Sequence, residues 1–132
     1  MVKLRRHIHQ NAEGGFQEFK TNQTLRDTLI GFGVKESEMR QSAGTGLIVD
    51  IKGTGPASTE SQEGKINTIA LRADMDALPM PENNPGLEYK TVTNFAHMCG
   101  HDGHMASLMS FTQVLCANRH KIPENKMVRL LC

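Results

Sequence analysis

Residues 103–132, GHMASLMSFTQVLCANRHKIPENKMVRLLC, decide the class of fold. Met105, Leu108, Met109, Thr112 and Leu115 recur at the three-and-four spacing that lines one side of a helix, which predicts a helix over 103–118. Lys126–Cys132 then reads as an apolar strand running to the last residue. Working back, Ile66, Ile69, Ala70 and Leu71 predict a second strand, expected to be buried, and Leu47–Ile51 predicts another behind Gly44-Thr45-Gly46. Leu4 and Ile8, four apart among basic residues, predict a short helix over 2–10, broken by Glu13-Gly14-Gly15. Thr21 or Asn22 offers the N-cap of a further helix carrying Leu25, Leu29 and Phe32, ended by Gly31 and Gly33. Helices and strands so mixed imply an α/β fold, a mixed sheet with flanking helices.

The connections carry their own expectations. Thr54–Gly64 is small and polar and contains Pro56, which predicts an exposed loop. The strands on either side of it could pair as a hairpin. The final strand is left as an exposed edge. From Asp74 to Ala96, Pro79, Pro81, Pro85, Gly86 and Asn83-Asn84 exclude a regular helix and predict an irregular surface loop.

Composition narrows the class of function. A chain of 132 residues makes one domain, and 38% hydrophobic with 22% charged residues fits a globular protein and excludes wholesale disorder. Fifteen Lys and Arg against 14 Asp and Glu, with no long basic face, give no reason to expect nucleic acid. No apolar run approaches the roughly 20 residues of a membrane span. The start MVKLRRHIHQ has charges where a signal peptide is apolar, so a soluble, cytoplasmic protein is expected. Cys99, Cys116 and Cys132 are odd in number and irregularly spaced, which suits reduced thiols, with Cys116 in the core.

Two constellations carry chemistry. His97-Met98-Cys99-Gly100-His101-Asp102-Gly103-His104 gathers three of the six histidines and one cysteine. A thiolate and an imidazole two residues apart, among glycines that let the chain turn, can reach one divalent ion. The alternative is that these residues cap the following helix, with Asp102 favoured by its dipole. Two donors do not complete a zinc site, so Cys99 and His101 need partners from elsewhere. The second constellation, Arg72-Ala73-Asp74-Met75-Asp76-Ala77-Leu78-Pro79, puts two carboxylates at positions i and i+2 of extended chain, where both point one way. They can serve a metal site or form a simple acidic turn. Arg5-Arg6-His7-x-His9 reads as a solvated basic helix face, with a further metal ligand from this segment as the less favoured alternative.

Taken in order, Arg5-Arg6-x-x-His9-x-x-x-Glu13, Thr45-Gly46, Ala70-Leu71-Arg72-Ala73-Asp74-Met75-Asp76-Ala77-Leu78-Pro79 and Cys99-Gly100-His101-Asp102-Gly103-His104 closely resemble the M20 metallopeptidase family. Within it they resemble the amidohydrolase branch of N-acyl-amino-acid, hippurate and auxin-conjugate hydrolases. The resemblance implies that Cys99 and His101 are ligands of a two-metal site taking zinc, manganese, cobalt or nickel, that Asp76 is the acidic residue orienting a ligand, and that the substrate is a small N-acyl amino acid. The sequence departs from the family at Ala12, where proline is usual, and in the polar loop at 56–64. The family's adjacent Glu-Glu pair, remaining ligands and lid domain are expected beyond Cys132. Residues 1–132 therefore resemble the N-terminal part of such a catalytic domain, expected to be inactive alone. The alternatives are a truncated, non-catalytic binding or assembly protein and, less favoured, a small structural zinc protein.

Overall fold

The computed structural model describes residues 1–59 and 64–132. Helix α1 spans Val2–Gln10, α2 Phe19–Gly31 and α3 His101–Ala117. Strands β1 (Met39–Ser42), β2 (Gly46–Lys52), β3 (Asn67–Arg72) and β4 (Lys126–Leu131) form one mixed sheet in the order β1-β2-β4-β3. The mixed sheet and flanking helices read from the sequence are present. No helix among the described residues is long and apolar enough to cross a membrane.

Strand β2 alternates, with Leu47, Val49 and Ile51 fully buried and Ile48 and Asp50 on the other face. Val128 and Leu130 of β4 join the buried side. Against it pack Ile8 of α1, Leu25 and Leu29 of α2, and Met105, Leu108, Met109 and Leu115 of α3, so all three helices share one core with the sheet. Each fully buried leucine or isoleucine contributes roughly 1.5–3 kcal/mol of transfer free energy. On the opposite face Asp50 lies between Arg40 (2.7 Å) and Arg129 (2.6 Å), and hydrogen bonds from the two arginines, Arg129 first, hold its carboxyl below the usual range.

The strand expectations hold in position and fail in pairing. β2 and β3 form no hairpin: β4 lies between them, antiparallel to β2 (Val49 opposite Leu130) and parallel to β3 (Ile69 opposite Val128). The reason is the crossover. A parallel neighbour needs a long connection, usually a helix, and α3 supplies it between β3 and β4. The final strand is consequently interior, and β3, with β1 on the other side, is an edge. The expected burial of β3 is also overturned, because the side chains of the strand are left largely uncovered: Ile69 is 60% exposed, and Ile66 just before the strand 41%.

The helices need smaller corrections. α2 begins at Phe19, ahead of the expected Thr21 or Asn22 cap, because the Glu13 carboxylate accepts the Thr21 amide (2.8 Å) and hydroxyl (2.8 Å) and the Lys20 amide (3.2 Å). A side chain outside the helix thus satisfies its orphan donors. α3 begins two residues earlier than expected. The polar connection before residue 44 contains the unforeseen β1. In the loop at 54–64, residues 60–63 lie outside the described ones, but Gly53 and Gly55 are buried and Gly55 bridges to Pro123. Residues 74–96 form no helix, as expected, and fold back through a bridge between Leu78 and Ala96.

Candidate metal centre

The Asp74 to Asp76 segment leaves β3 in extended form, and the chain returns at His97 to the start of α3. Gly100, at φ +80°, makes the turn into the helix, a conformation that costs a residue with a Cβ about 1–2 kcal/mol. His101 is the first residue of α3, and its Nδ1 lies 2.8 Å from the Asp76 carbonyl oxygen and 3.1 Å from Asp76 Oδ1. Both partners accept, so Nδ1 carries the proton and Nε2 keeps the lone pair. Cys99 is exposed with a free thiol. The structure therefore brings Asp76 to His101. Asp74 turns instead to Arg72, whose Nε is 2.7 Å away. Among the described residues no three His, Cys, Asp or Glu side chains converge as a metal-holding group.

A cleft of about 310 Å³ opens beside Asp74 and Asp76, with Glu18, Thr45, Met75 and Cys132 on its walls. The Thr45 hydroxyl donates to the buried Glu18 carboxylate. Burial pushes the Cys132 thiol up to about 12. Cys116 is half-buried against the core, and burial raises its pKa also, which agrees with its reading as a core thiol.

Behind the Cys99–His101 turn lies a buried polar cluster that the sequence reading missed. Asp102 is fully buried, and its Oδ2 accepts from Arg5 Nε at 3.0 Å and His9 Nδ1 at 2.9 Å. The other ring nitrogen of His9 lies 3.1 Å from Glu82 Oε1. His9 is thus 6% exposed, which corrects the expected solvated basic face at that position, while Arg5, Arg6 and His7 are exposed as expected. Arg5 and His9 are one helical turn apart and share a side, and α1 packs that side on α3. The ring is committed at both nitrogens to carboxylates, so it is not a further metal ligand. Glu82 is buried too and accepts from Asn84 Nδ2 (2.8 Å) and the Thr91 amide (2.7 Å).

Burial alone would raise both carboxyls. At Glu82 the hydrogen bonds from Asn84, Thr91 and His9 outweigh it and hold the pKa at about 2. At Asp102, His9, the Gly103 amide and Arg5 outweigh burial and hold the pKa below its ordinary value. His97 is 4% exposed, and both its ring nitrogens and Asp102 Oδ1 have no partner among the described residues. Burial pushes the His97 pKa down, against the field of Asp102. One signal in the sequence pointed here: Arg5 and His9 at helical spacing beside the apolar Ile8. Glu82, inside a proline-rich loop, had none.

This fold and turn define a class. The model of peptidase family M20/M25/M40 matches residues 70–132, from β3 through α3 to β4. An IAA-amino acid hydrolase ILR1-like 2 of Arabidopsis thaliana is 36% identical over 125 residues, covering 92% of this chain and 25% of that protein. An N-acyl-L-amino acid amidohydrolase of Geobacillus stearothermophilus is 34% identical over 122 residues, covering 92% of this chain and 30% of that protein. The crystal structure of the Bacillus subtilis protein YXEP, described as a dinuclear metal binding peptidase from the M20 family, superposes with a TM-score of 0.80 at 30% identity. That match covers 98% of this chain and 33% of that one. The chain is similar to the M20 family through residues 70–132, and it spans about a third or less of the length of these relatives.

Proposed function

We propose that residues 1–132 form part of a metal-dependent amidohydrolase domain that cleaves N-acyl amino acids into acid and amine. Cys99 and His101 are two of its metal ligands, and Asp76 orients His101. The observation that carries this reading is the pair of contacts from Asp76 to His101 Nδ1, at 2.8 and 3.1 Å, which turn Nε2 outward as the donor. A histidine ligand almost always gives its other N–H to a carboxylate or carbonyl in this way. The donor set, a thiolate, an imidazole and nearby carboxylates, suits zinc, manganese, cobalt or nickel. The unpartnered, buried His97 ring beside them marks a polar position still open to a further group. A bound divalent pair supplies an activated water and a Lewis acid for the amide carbonyl. The chain's own part is to fix the donor nitrogen through Asp76 and the turn through Gly100. The names of the Arabidopsis and Geobacillus relatives support an acylated amino acid as substrate.

Two donors hold metal weakly, and no residue among the described ones is assigned as a general base. The 132-residue protein is accordingly expected to release no amino acid from N-acetyl or N-benzoyl substrates. The protein carrying this sequence in its source is expected to release it and to stop when a chelator is added. Rapid, chelator-sensitive release by the 132-residue protein refutes the partial-site reading. A source protein that stays inactive with each of the four metals refutes the function.

A further inference from the structure

We infer that Arg5 and His9 of α1 are positioning residues for Cys99 and His101, acting through the buried carboxylate of Asp102; the inference rests on the metal-site reading above. Asp102 directly follows His101, so a rotation or withdrawal of the first turn of α3 displaces both. An acid that serves only the helix dipole belongs in solvent. Asp102 is fully buried, a costly place for a carboxylate unless it is paired. Its partners, Arg5 Nε at 3.0 Å and His9 Nδ1 at 2.9 Å, come from one side of a helix 93 to 97 residues away in sequence. The chain of contacts continues through His9 to Glu82 and on to Asn84 and Thr91, so three distant segments meet at one imidazole.

Packing alone does not account for this expense. Leu4 and Ile8 already seat α1 in the core by apolar contact. An apolar contact tolerates small rotations of one helix against another, whereas a hydrogen bond to a buried carboxylate has a preferred direction and fixes the helix about its axis. His101 is held independently from the β3 exit by Asp76. The first two residues of α3 are therefore anchored by two different elements, one setting the ring and the other the helix beneath it.

Two substitutions at one position separate this role from plain stability. In His9→Asn the amide nitrogen falls near the place of Nδ1 and keeps the bond to Asp102. In His9→Gln it reaches toward the place of Nε2 and keeps only the bond to Glu82. Cobalt(II) is titrated into the protein and each variant, with the cobalt–thiolate charge-transfer band of Cys99 as readout and circular dichroism as the check on folding. His9→Gln is expected to bind cobalt about tenfold more weakly than His9→Asn, the scale typical of supporting partners, with similar melting temperatures. Arg5→Gln, at a half-exposed position that tolerates change, is expected to weaken binding about threefold, below that same scale. Equal affinities for the two His9 variants, or an unchanged Arg5 variant, overturn the positioning role. A parent protein that gives no cobalt–thiolate band overturns the metal-site reading itself.

Discussion

Replacing Glu82 by glutamine is expected to remove most of an acid-sensitive contribution to stability. The carboxyl has an ordinary value of 4.5 and is held at about 2 in the fold. That difference of about 2.5 units, at 1.36 kcal/mol each, is roughly 3 kcal/mol favouring the native state when Glu82 is ionised. Because the native pKa is depressed, the unfolded chain binds the proton more readily. The contribution is thus complete above the unfolded value and drains away as pH falls from 4.5 toward 2. By about pH 3, linkage puts the loss at about 2 kcal/mol. Glutamine keeps the shape but presents an N–H₂ where the Thr91 amide or His9 needs an acceptor. Urea unfolding followed by circular dichroism, at about pH 6 and about pH 3, should show the two proteins differing by roughly 3 kcal/mol at the higher pH and by little more than 1 at the lower. Asp102, Glu38 and Asp50 are also depressed and titrate in the same acid range, so the comparison is between the two proteins at each pH. A difference that stays constant between the two pH values would refute the assignment of Glu82 as a buried, ionised acceptor.

Two further outcomes test the packing and the thiols. Gly53→Ala places a Cβ 2.2 Å from the carbonyl oxygens of Ile122 and Pro123, which are backbone and cannot swing away. It should cost about 1–3 kcal/mol or more and lower the melting temperature by several degrees; an unchanged melting curve would show that the 53–55 segment does not lie against residues 120–123. Iodoacetamide should label exposed Cys99 well before Cys132, whose thiol burial raises to about 12. Peptide mass spectrometry reads the order, and added cobalt should slow labelling at Cys99 alone; equal rates at Cys99 and Cys132 would contradict the burial described here.

Local pattern made the elements legible, and long-range pairing made their arrangement illegible. The three-and-four spacing in α3 and the short β-branched run in β2 are properties of a few neighbouring residues, and both elements form within a residue or two of where the sequence puts them. The neighbour of β2 is chosen by a crossover from β3 through α3 to β4, and nothing in Leu47–Ile51 encodes that. The exposed β3 shows the same limit: Ile66 and Ile69 read as buried because apolar strands usually are, yet what covers the face of a strand is set by distant elements, and both side chains are exposed. Cys99 and His101, the proposed metal donors, stood out as candidates because they lie two apart in one short cluster. Their supports at residues 5, 9 and 82 did not, since a histidine on a basic helix looks solvated until the helix facing it supplies a buried carboxylate.

That contrast bears on how the site works. Cys99 and His101 are two residues apart around a glycine turn, an arrangement with little stiffness of its own; Gly100 at φ +80° permits the turn without enforcing it. Stiffness has to come from outside the turn. Asp76 provides it for the imidazole ring, and the Arg5–His9–Glu82 group provides it for the helix through Asp102. Both supports end on charged or strongly polar atoms, which sharpen orientation at a cost in burial that apolar side chains would avoid. A fold selected for stability alone would fill the space around His9 and His97 with leucine. Keeping there two carboxylates and two histidines, one of them with a ring unpartnered among the described residues, is the signature of a region that trades stability for a fixed geometry.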